Sequence, residues 1–211
     1  MDHNGCRILK IAMIFLRLII IINMKVLANG AWDGSISDLQ KEHVFDGALC
    51  DGIINMLSTD EVKTVVDMGC GLGDYVKNFK EKFECEGFDG NPQTHKLTNG
   101  LCNVLDLSKP VKFPVKYDWV ISLEVGEHIP KKYEDIFISN LCNSSSRGLI
   151  LSWAIPGQGG RGHVNEQKNN YIIQQMLFKG FIYLPEKSQF LRDSSKLWWF
   201  KNTIMVFKKN C

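Results

Sequence analysis

From residue 37 onward, two hydrophobic rhythms alternate along the chain. Ser37 with Gln40 three positions later fits a capping box, and Phe45, Leu49, Ile53 and Met56 recur at spacings of four, four and three. One helix with a single buried stripe is therefore expected over 37–57. Beyond the breaker Ser58-Thr59-Asp60, the short β-branched run 64–68 reads as a strand. Tyr75, Phe79 and Phe83 restore the spacing of four, so a helix starts at Gly73. Strands are expected next over 85–89, 101–107 and 117–123. In the last of these Trp119, Val120 and Ile121 are consecutive, as in a strand buried on both faces. Helical spacing returns at Tyr133, Ile136, Phe137 and Leu141. A strand over 148–153, a glycine-rich loop, a helix over 166–179 stopped by Gly180, and closing strands over 181–184 and 203–208 complete the pattern. Such alternation predicts the α/β class: a doubly wound, mostly parallel sheet with right-handed crossovers and helices on both faces.

The first thirty residues follow another rule. Ile11 to Ile22 holds eleven apolar residues in twelve, interrupted by Arg17, with Arg7 and Lys10 before it and the small residues Ala28 and Gly30 after it. This fits a secretory signal cleaved after Gly30, a signal anchor, or an extension of a chain starting at Met24. Lys10, Arg17 and Lys25 leave less than the ~20 clean apolar residues of a spanning helix. The expected organisation is a leader over 1–30 and one domain over 31–211. A secretory or membrane-anchored location is expected, with a cytoplasmic one as the alternative.

At 211 residues, 45% hydrophobic and 23% charged, the chain has the composition of one globular domain and not of a disordered, collagen-like or multi-spanning protein. The net charge of +2 divides into +3 on the first thirty residues and −1 on the rest. A near-neutral body has no general attraction for a polyanion, so a small-molecule partner is expected rather than nucleic acid, with the membrane reached only through the leader. None of the seven cysteines forms a pair with metal-ligand spacing, and free thiols are expected. Asn143-Ser144-Ser145 is a glycosylation sequon expected in a loop.

Asp67-Met68-Gly69-Cys70-Gly71-Leu72-Gly73 carries the chemistry. Glycines at alternate positions after a buried strand turn the backbone sharply and expose main-chain N–H groups beside a helix N-terminus. The spacing is not that of the dinucleotide fingerprint, and a phosphate loop's Lys-Ser/Thr is missing. Asp89 ends the next strand, where a carboxylate can accept both hydroxyls of a ribose. Asp67, three glycines and Asp89 in this order point to a nucleoside site.

Here the sequence resembles the class I S-adenosylmethionine-dependent methyltransferases. Val65 to Asp74 is similar to that family's first motif, Glu86-Gly87-Phe88-Asp89 to its acidic second-strand motif, Val104-Leu105-Asp106-Leu107 to the segment flanking the adenine, and Tyr117 to Ser122 to its fourth strand. The resemblance implies a seven-stranded sheet whose last hairpin supplies one antiparallel strand. It also implies that Asp67, Gly69, Gly71 and Gly73 surround the methionine part, that Asp89 takes the ribose hydroxyls, and that Asp106 with Leu107 meets the adenine. Glu124 would join Asp67 beside the sulfonium.

Glu124-Val125-Gly126-Glu127-His128 follows the fourth strand and is similar to the Glu-Val-Leu-Glu-His motif of small-molecule O-methyltransferases, with Gly126 in place of leucine. His163, in a loop with four glycines in six residues, is the expected general base, because an imidazole can accept a hydroxyl proton near neutrality. Glu127 and His128 join it as expected catalytic residues. The alternative is that Glu124, Glu127, His128 and His163 bind a divalent ion such as Mg²⁺, as in the quinone-precursor and RNA 2′-O-methyltransferases that this cluster resembles; no metal ligand is assigned from sequence. The expected activity is methyl transfer to a small-molecule oxygen. A metal-assisted RNA 2′-O-methyltransferase and a non-catalytic cofactor-binding module are the alternatives.

Overall fold

The computed structural model describes residues 24–210. It opens with a two-stranded hairpin absent from the sequence reading: β1 (Lys25–Val26) pairs antiparallel with β2 (Trp32–Asp33). The boundary expected between Gly30 and Ala31 falls inside the turn of this hairpin. Residues 24–30 therefore pack on the body: Met24 is buried, and Gly30 lies so close to the His128 carbonyl that a side chain there would collide with it. The rest of the expected leader, 1–23, lies outside the described residues, as do Cys6 and Cys211.

The single expected helix over 37–57 is two helices. α1 (Ile36–Glu42) is capped by Ser35, whose Oγ accepts from Asp38 N and donates to Asp38 Oδ2, so the capping box sits two residues earlier than expected. α2 (Gly47–Thr59) is capped by Asp46, which accepts from Leu49 N at 3.0 Å. The other oxygen of Asp46 accepts from Ser195 Oγ, Lys196 N and Leu197 N, and these distant partners hold the break in place.

The expected elements follow as β3 (Thr64–Met68), α3 (Asp74–Phe79), β4 (Glu84–Asp89), β5 (Asn103–Val104) and β6 (Tyr117–Ser122), with one short helix that the sequence reading lacks, α4 (Thr94–Leu97), between β4 and β5. A 3₁₀ turn at Lys131–Tyr133 leads into α5 (Glu134–Ser144), β7 (Ser145–Leu151), α6 (Asn169–Phe178) and β8 (Phe181–Tyr183). Two further helices, α7 (Pro185–Ser194) and α8 (Trp198–Thr203), fill a stretch left unassigned, before β9 (Met205–Lys209). The sheet order is β5-β4-β3-β6-β7-β9-β8, seven strands with β9 antiparallel to both neighbours and the other pairings parallel. The expected doubly wound class and its single antiparallel strand are both present. β5 keeps two residues of the seven expected, because the sheet ends there. Asn143 stands at the α5–β7 junction, not in a loop.

Side chains alternate across the strands. Val65, Trp119, Ile121, Ile150 and Val206 pack under α2, α3, α7 and α8. Val66, Met68, Val120, Leu149, Leu151 and Phe207 pack under α5 and α6. Burial on both faces explains the consecutive apolar residues of β6. The carboxyl ends of β3, β4 and β6 are thereby held side by side, where open α/β sheets place their ligands.

Candidate active site

Three left-handed glycines follow β3. Gly69, Gly71 and Gly73 have φ of +93°, +55° and +80°. A Cβ on Gly71 would stand 2.7 Å from the ring of His43, so both the conformation and the space demand glycine there. The turn is stapled to β4: Gly69 N and Cys70 N donate to the Phe88 carbonyl, and Gly71 N donates to Asp89 Oδ2 at 2.9 Å. Asp89 Oδ1 accepts from Asn91 N at 2.8 Å.

A cavity of about 380 Å³ opens over this turn. Its walls bring together Asp67, Gly69, Gly71, Asp89, Asp106, Leu107, Glu124, His128 and His163 from the sequence reading. Gly73 stands outside the wall as the left-handed N-cap of α3. Glu127 is fully buried behind His128 and His163 and does not line the cavity.

Acidic groups dominate the end of the cavity over the glycine turn. Burial pushes the Asp67 carboxyl well above its ordinary range, and the charge of Asp89 adds to this. Asp89 is raised too, because burial outweighs its two backbone donors and His43. Glu124 is raised by burial against donors from Ser152, Gln158 and Thr203. Its backbone adopts the left-handed region, φ 54°, which costs a non-glycine residue about 1–3 kcal/mol and marks a constrained turn. Asp106 differs: burial opposes its charge, but donors from Ser108 and Asn29 hold the carboxyl below its ordinary range. Three raised carboxyls facing one cavity favour a ligand that brings a cation.

The opposite end is built on imidazoles. His128 meets His163 edge-on with ring centroids 4.9 Å apart and meets Trp32 at 4.9 Å. Burial, with the neighbouring His163, lowers His128 to about 4, so it is neutral near pH 7. His163 Nδ1 lies 3.0 Å from Glu166 Oε1, and its Nε2 lies 4.0 Å from Glu127 Oε1. Glu166 also accepts from Gly157 N and Gly159 N, while Val164 N and Asn165 N donate to the Glu127 carbonyl. The glycines of this loop thus permit close backbone approach, and Glu166 ties the loop shut. Burial and the charge of Glu124 push Glu127 well above its ordinary range. Glu127 Oε1 and Oε2 and His128 Nδ1 are buried without hydrogen-bond partners among the described residues. Glu127, His128 and His163 each offer a ligand atom, all within 4.8 Å of one another.

Gly126 is explained by packing. The ring of the fully buried Trp153 occupies the place where a side chain on residue 126 would begin.

Trp32, His43, Asn91 and Glu166 escaped the sequence reading. Trp32 lies between His43, against which it is tilted, and His128, which it meets edge-on, and Asn91 lines the cavity with its Nδ2 unpartnered among the described residues. His43 carried no signal, because its position depends on the break between α1 and α2. Glu166 did carry one: an acid three residues after His163. Trp198, Trp199 and Phe200 line the far wall from α8.

A parallel sheet in this strand order, with its glycine turn, strand-end acids and adjoining cavity, defines the class I S-adenosylmethionine-dependent methyltransferase fold. Residues 41–149, about half of the chain, match the family model described as methyltransferase domain, and the chain belongs to that family. A tocopherol O-methyltransferase, chloroplastic, of Arabidopsis thaliana is 30% identical over 118 residues, 48% of this chain and 33% of that protein. The chain spans about a third of the length of the curated relatives it matches. Among solved structures, magnesium protoporphyrin IX methyltransferase from Synechocystis PCC 6803 with bound SAH has a TM-score of 0.59 at 20% identity, covering 76% of this chain and 81% of that one. The sugar N-methyltransferase KedS8 from Streptoalloteichus sp ATCC 53650 has a TM-score of 0.63 at 10% identity, covering 78% and 88%.

Proposed function

We propose that this chain binds S-adenosylmethionine in the cavity over Gly69 and Gly71 and transfers its methyl group to an oxygen of a small molecule held toward His128, His163 and α8. The carrying observation is that Asp67, Asp89 and Glu124 face one cavity whose other end holds two imidazoles. A sulfonium gains from the carboxylates, whereas the departing thioether is neutral, so transfer requires alignment more than strong acid–base chemistry. His163, its Nδ1 engaged by Glu166, has Nε2 free to take the acceptor's proton. The relatives named above carry tocopherol, magnesium protoporphyrin IX and a sugar in their names, which supports a small acceptor without choosing one. The targeting role of the apolar leader stays part of this reading; among the described residues no helix is long and apolar enough to cross a membrane.

The test is calorimetric titration of S-adenosylmethionine into wild type, Asp89→Ala and Gly71→Arg. Binding by wild type that is lost in both variants is expected, and equal affinity in all three would refute the site. Release of S-adenosylhomocysteine with a panel of hydroxyl acceptors, abolished in His163→Ala, tests turnover.

A second reading concerns a divalent ion. The buried, unpartnered oxygens of Glu127 and the His128 Nδ1 fit one, and Glu127, His128 and His163 would hold it. Such an ion would lower the pKa of an acceptor hydroxyl. Two imidazoles in the donor set favour a first-row transition ion over Mg²⁺, which prefers oxygen ligands. With an ion bound, His163 Nε2 serves as a ligand and not as the base.

A further inference from the structure

Beneath the glycine turn two sulfurs share one pocket. Cys70 lies between Gly69 and Gly71, and Cys102 immediately precedes β5. A Cβ built on Gly87 of β4 would stand 2.7 Å from Cys102 Sγ and 3.2 Å from Cys70 Sγ, so the missing side chain of Gly87 makes the room that both sulfurs fill. The missing Cβ of Gly73 gives more, at 3.0 Å from Cys102 Sγ. The two sulfurs thus stand together around the space that Gly87 leaves open. Of the two, Cys70 reaches the cavity wall and Cys102 is fully enclosed.

We propose that Cys70 and Cys102 are an oxidation site, a dithiol that hydrogen peroxide entering through the cavity over the glycine turn converts to a disulfide, and that this bond distorts the turn. In the first step Cys70 Sγ attacks a peroxide oxygen. The O–O bond breaks, the leaving hydroxide takes the thiol proton as water, and Cys70 becomes a sulfenic acid. Cys102 Sγ then attacks the Cys70 sulfur, the S–O bond breaks, and a second water leaves. Two thiols and one peroxide give one disulfide and two waters; the sulfurs lose two electrons and the peroxide gains them. Both sulfurs face the space that Gly87 leaves open, which sets Cys102 Sγ beside the new sulfenic acid for the second attack. Its neighbour Cys102 and burial hold the Cys70 thiol well above its ordinary range, and burial pushes Cys50 and Cys142 up to about 12, so what sets Cys70 apart is its place on the cavity wall.

The consequence follows from which side can yield. Closing to a bond of about 2.05 Å draws the sulfurs together. Cys102 is anchored, its N donating to Thr98 Oγ1 at 3.0 Å. Cys70 is flanked by two left-handed glycines, so the turn moves and strains the Gly71 N to Asp89 Oδ2 bond. This effect on the cofactor rests on the proposed binding at that cavity; the oxidation itself does not.

The test treats the full chain with hydrogen peroxide, with and without S-adenosylhomocysteine, then blocks free thiols and maps the peptides by mass. Expected are a Cys70–Cys102 cross-link suppressed by the ligand, faster amide exchange over 69–73, and S-adenosylhomocysteine affinity weaker by about tenfold or more, all reversed by a thiol reductant. Cys102→Ser and Cys102→Ala should form no cross-link and keep the reduced protein's affinity under peroxide. Absence of the cross-link in wild type, or a cross-link that leaves exchange over 69–73 unchanged, overturns the proposal. If reduced wild type does not bind S-adenosylhomocysteine, the functional reading fails, while the cross-link and exchange arms still decide this one.

Discussion

Gly126 is where this chain departs from the motif it resembles, and substituting it tests whether packing or chemistry set the departure. In Gly126→Ala the new methyl begins inside the envelope of Trp153 Cδ2, Cε3 and Cζ3. The backbone at residue 126 is not among the left-handed glycines, so the cost is steric alone. Trp153 cannot retreat easily: it is fully buried, its Nε1 donates to the Asn165 carbonyl at 2.7 Å, and Phe137 packs against it at 5.7 Å between ring centroids. Overpacking of this kind costs typically 1–3 kcal/mol, and a rigid neighbour puts the site near the upper figure, about 3 kcal/mol. For a chain of this size that lowers Tm by about 6–12 °C. The assay is a thermal and denaturant double-mutant cycle with Trp153→Phe, which removes part of the obstructing ring. Although Trp153→Phe is itself destabilising, Gly126→Ala should cost about 1–3 kcal/mol less in its background than in wild type. A Gly126→Ala Tm within about 1 °C of wild type, or additivity in the cycle, would refute the reasoning.

Three further outcomes are expected. Asp67 and Glu124 are raised above the ordinary carboxylate range, so the folded protein holds protons that the unfolded chain has released. Stability of the ligand-free protein should therefore fall as pH rises from about 4 through the raised values, while affinity for cationic S-adenosylmethionine rises relative to neutral S-adenosylhomocysteine, by up to about tenfold per pH unit for one proton. Parallel affinity profiles for the two ligands would remove the carboxylates from the sulfonium site. Titration with Mn²⁺ and with Mg²⁺ should show binding of the former that Glu127→Gln weakens by at least about tenfold, and no heat with either ion would eliminate the metal reading. A chain starting at Met24 should bind S-adenosylmethionine as wild type does, whereas one starting at Ala31 should bind at least about tenfold more weakly, because it lacks β1 and the Asn29 donor to Asp106; equal affinities would make the hairpin dispensable.

What was legible in the sequence is what a local segment decides by itself. The order of strands from residue 64 onward follows from periodicity, and Asp67, Asp89 and Asp106 reach the cavity because each ends or follows a strand whose position the alternation already fixes; α4, α7 and α8 did not show in it. The misreadings share one physical origin. The stripe Phe45-Leu49-Ile53-Met56 continues smoothly into the segment before it, but Asp46 finds three partners in 195–197, some 150 residues away, and those bonds end one helix and start another. That break frees His43 to stand over Gly71 and face Trp32. Trp32 in turn belongs to a hairpin of two-residue strands too short to show any period. Both elements are held by tertiary contacts to the glycine turn and the His128 segment, so the cofactor floor is local in origin and its cover is not. A consequence is that variants at Trp32 and His43 should alter ligand binding with every recognisable motif intact.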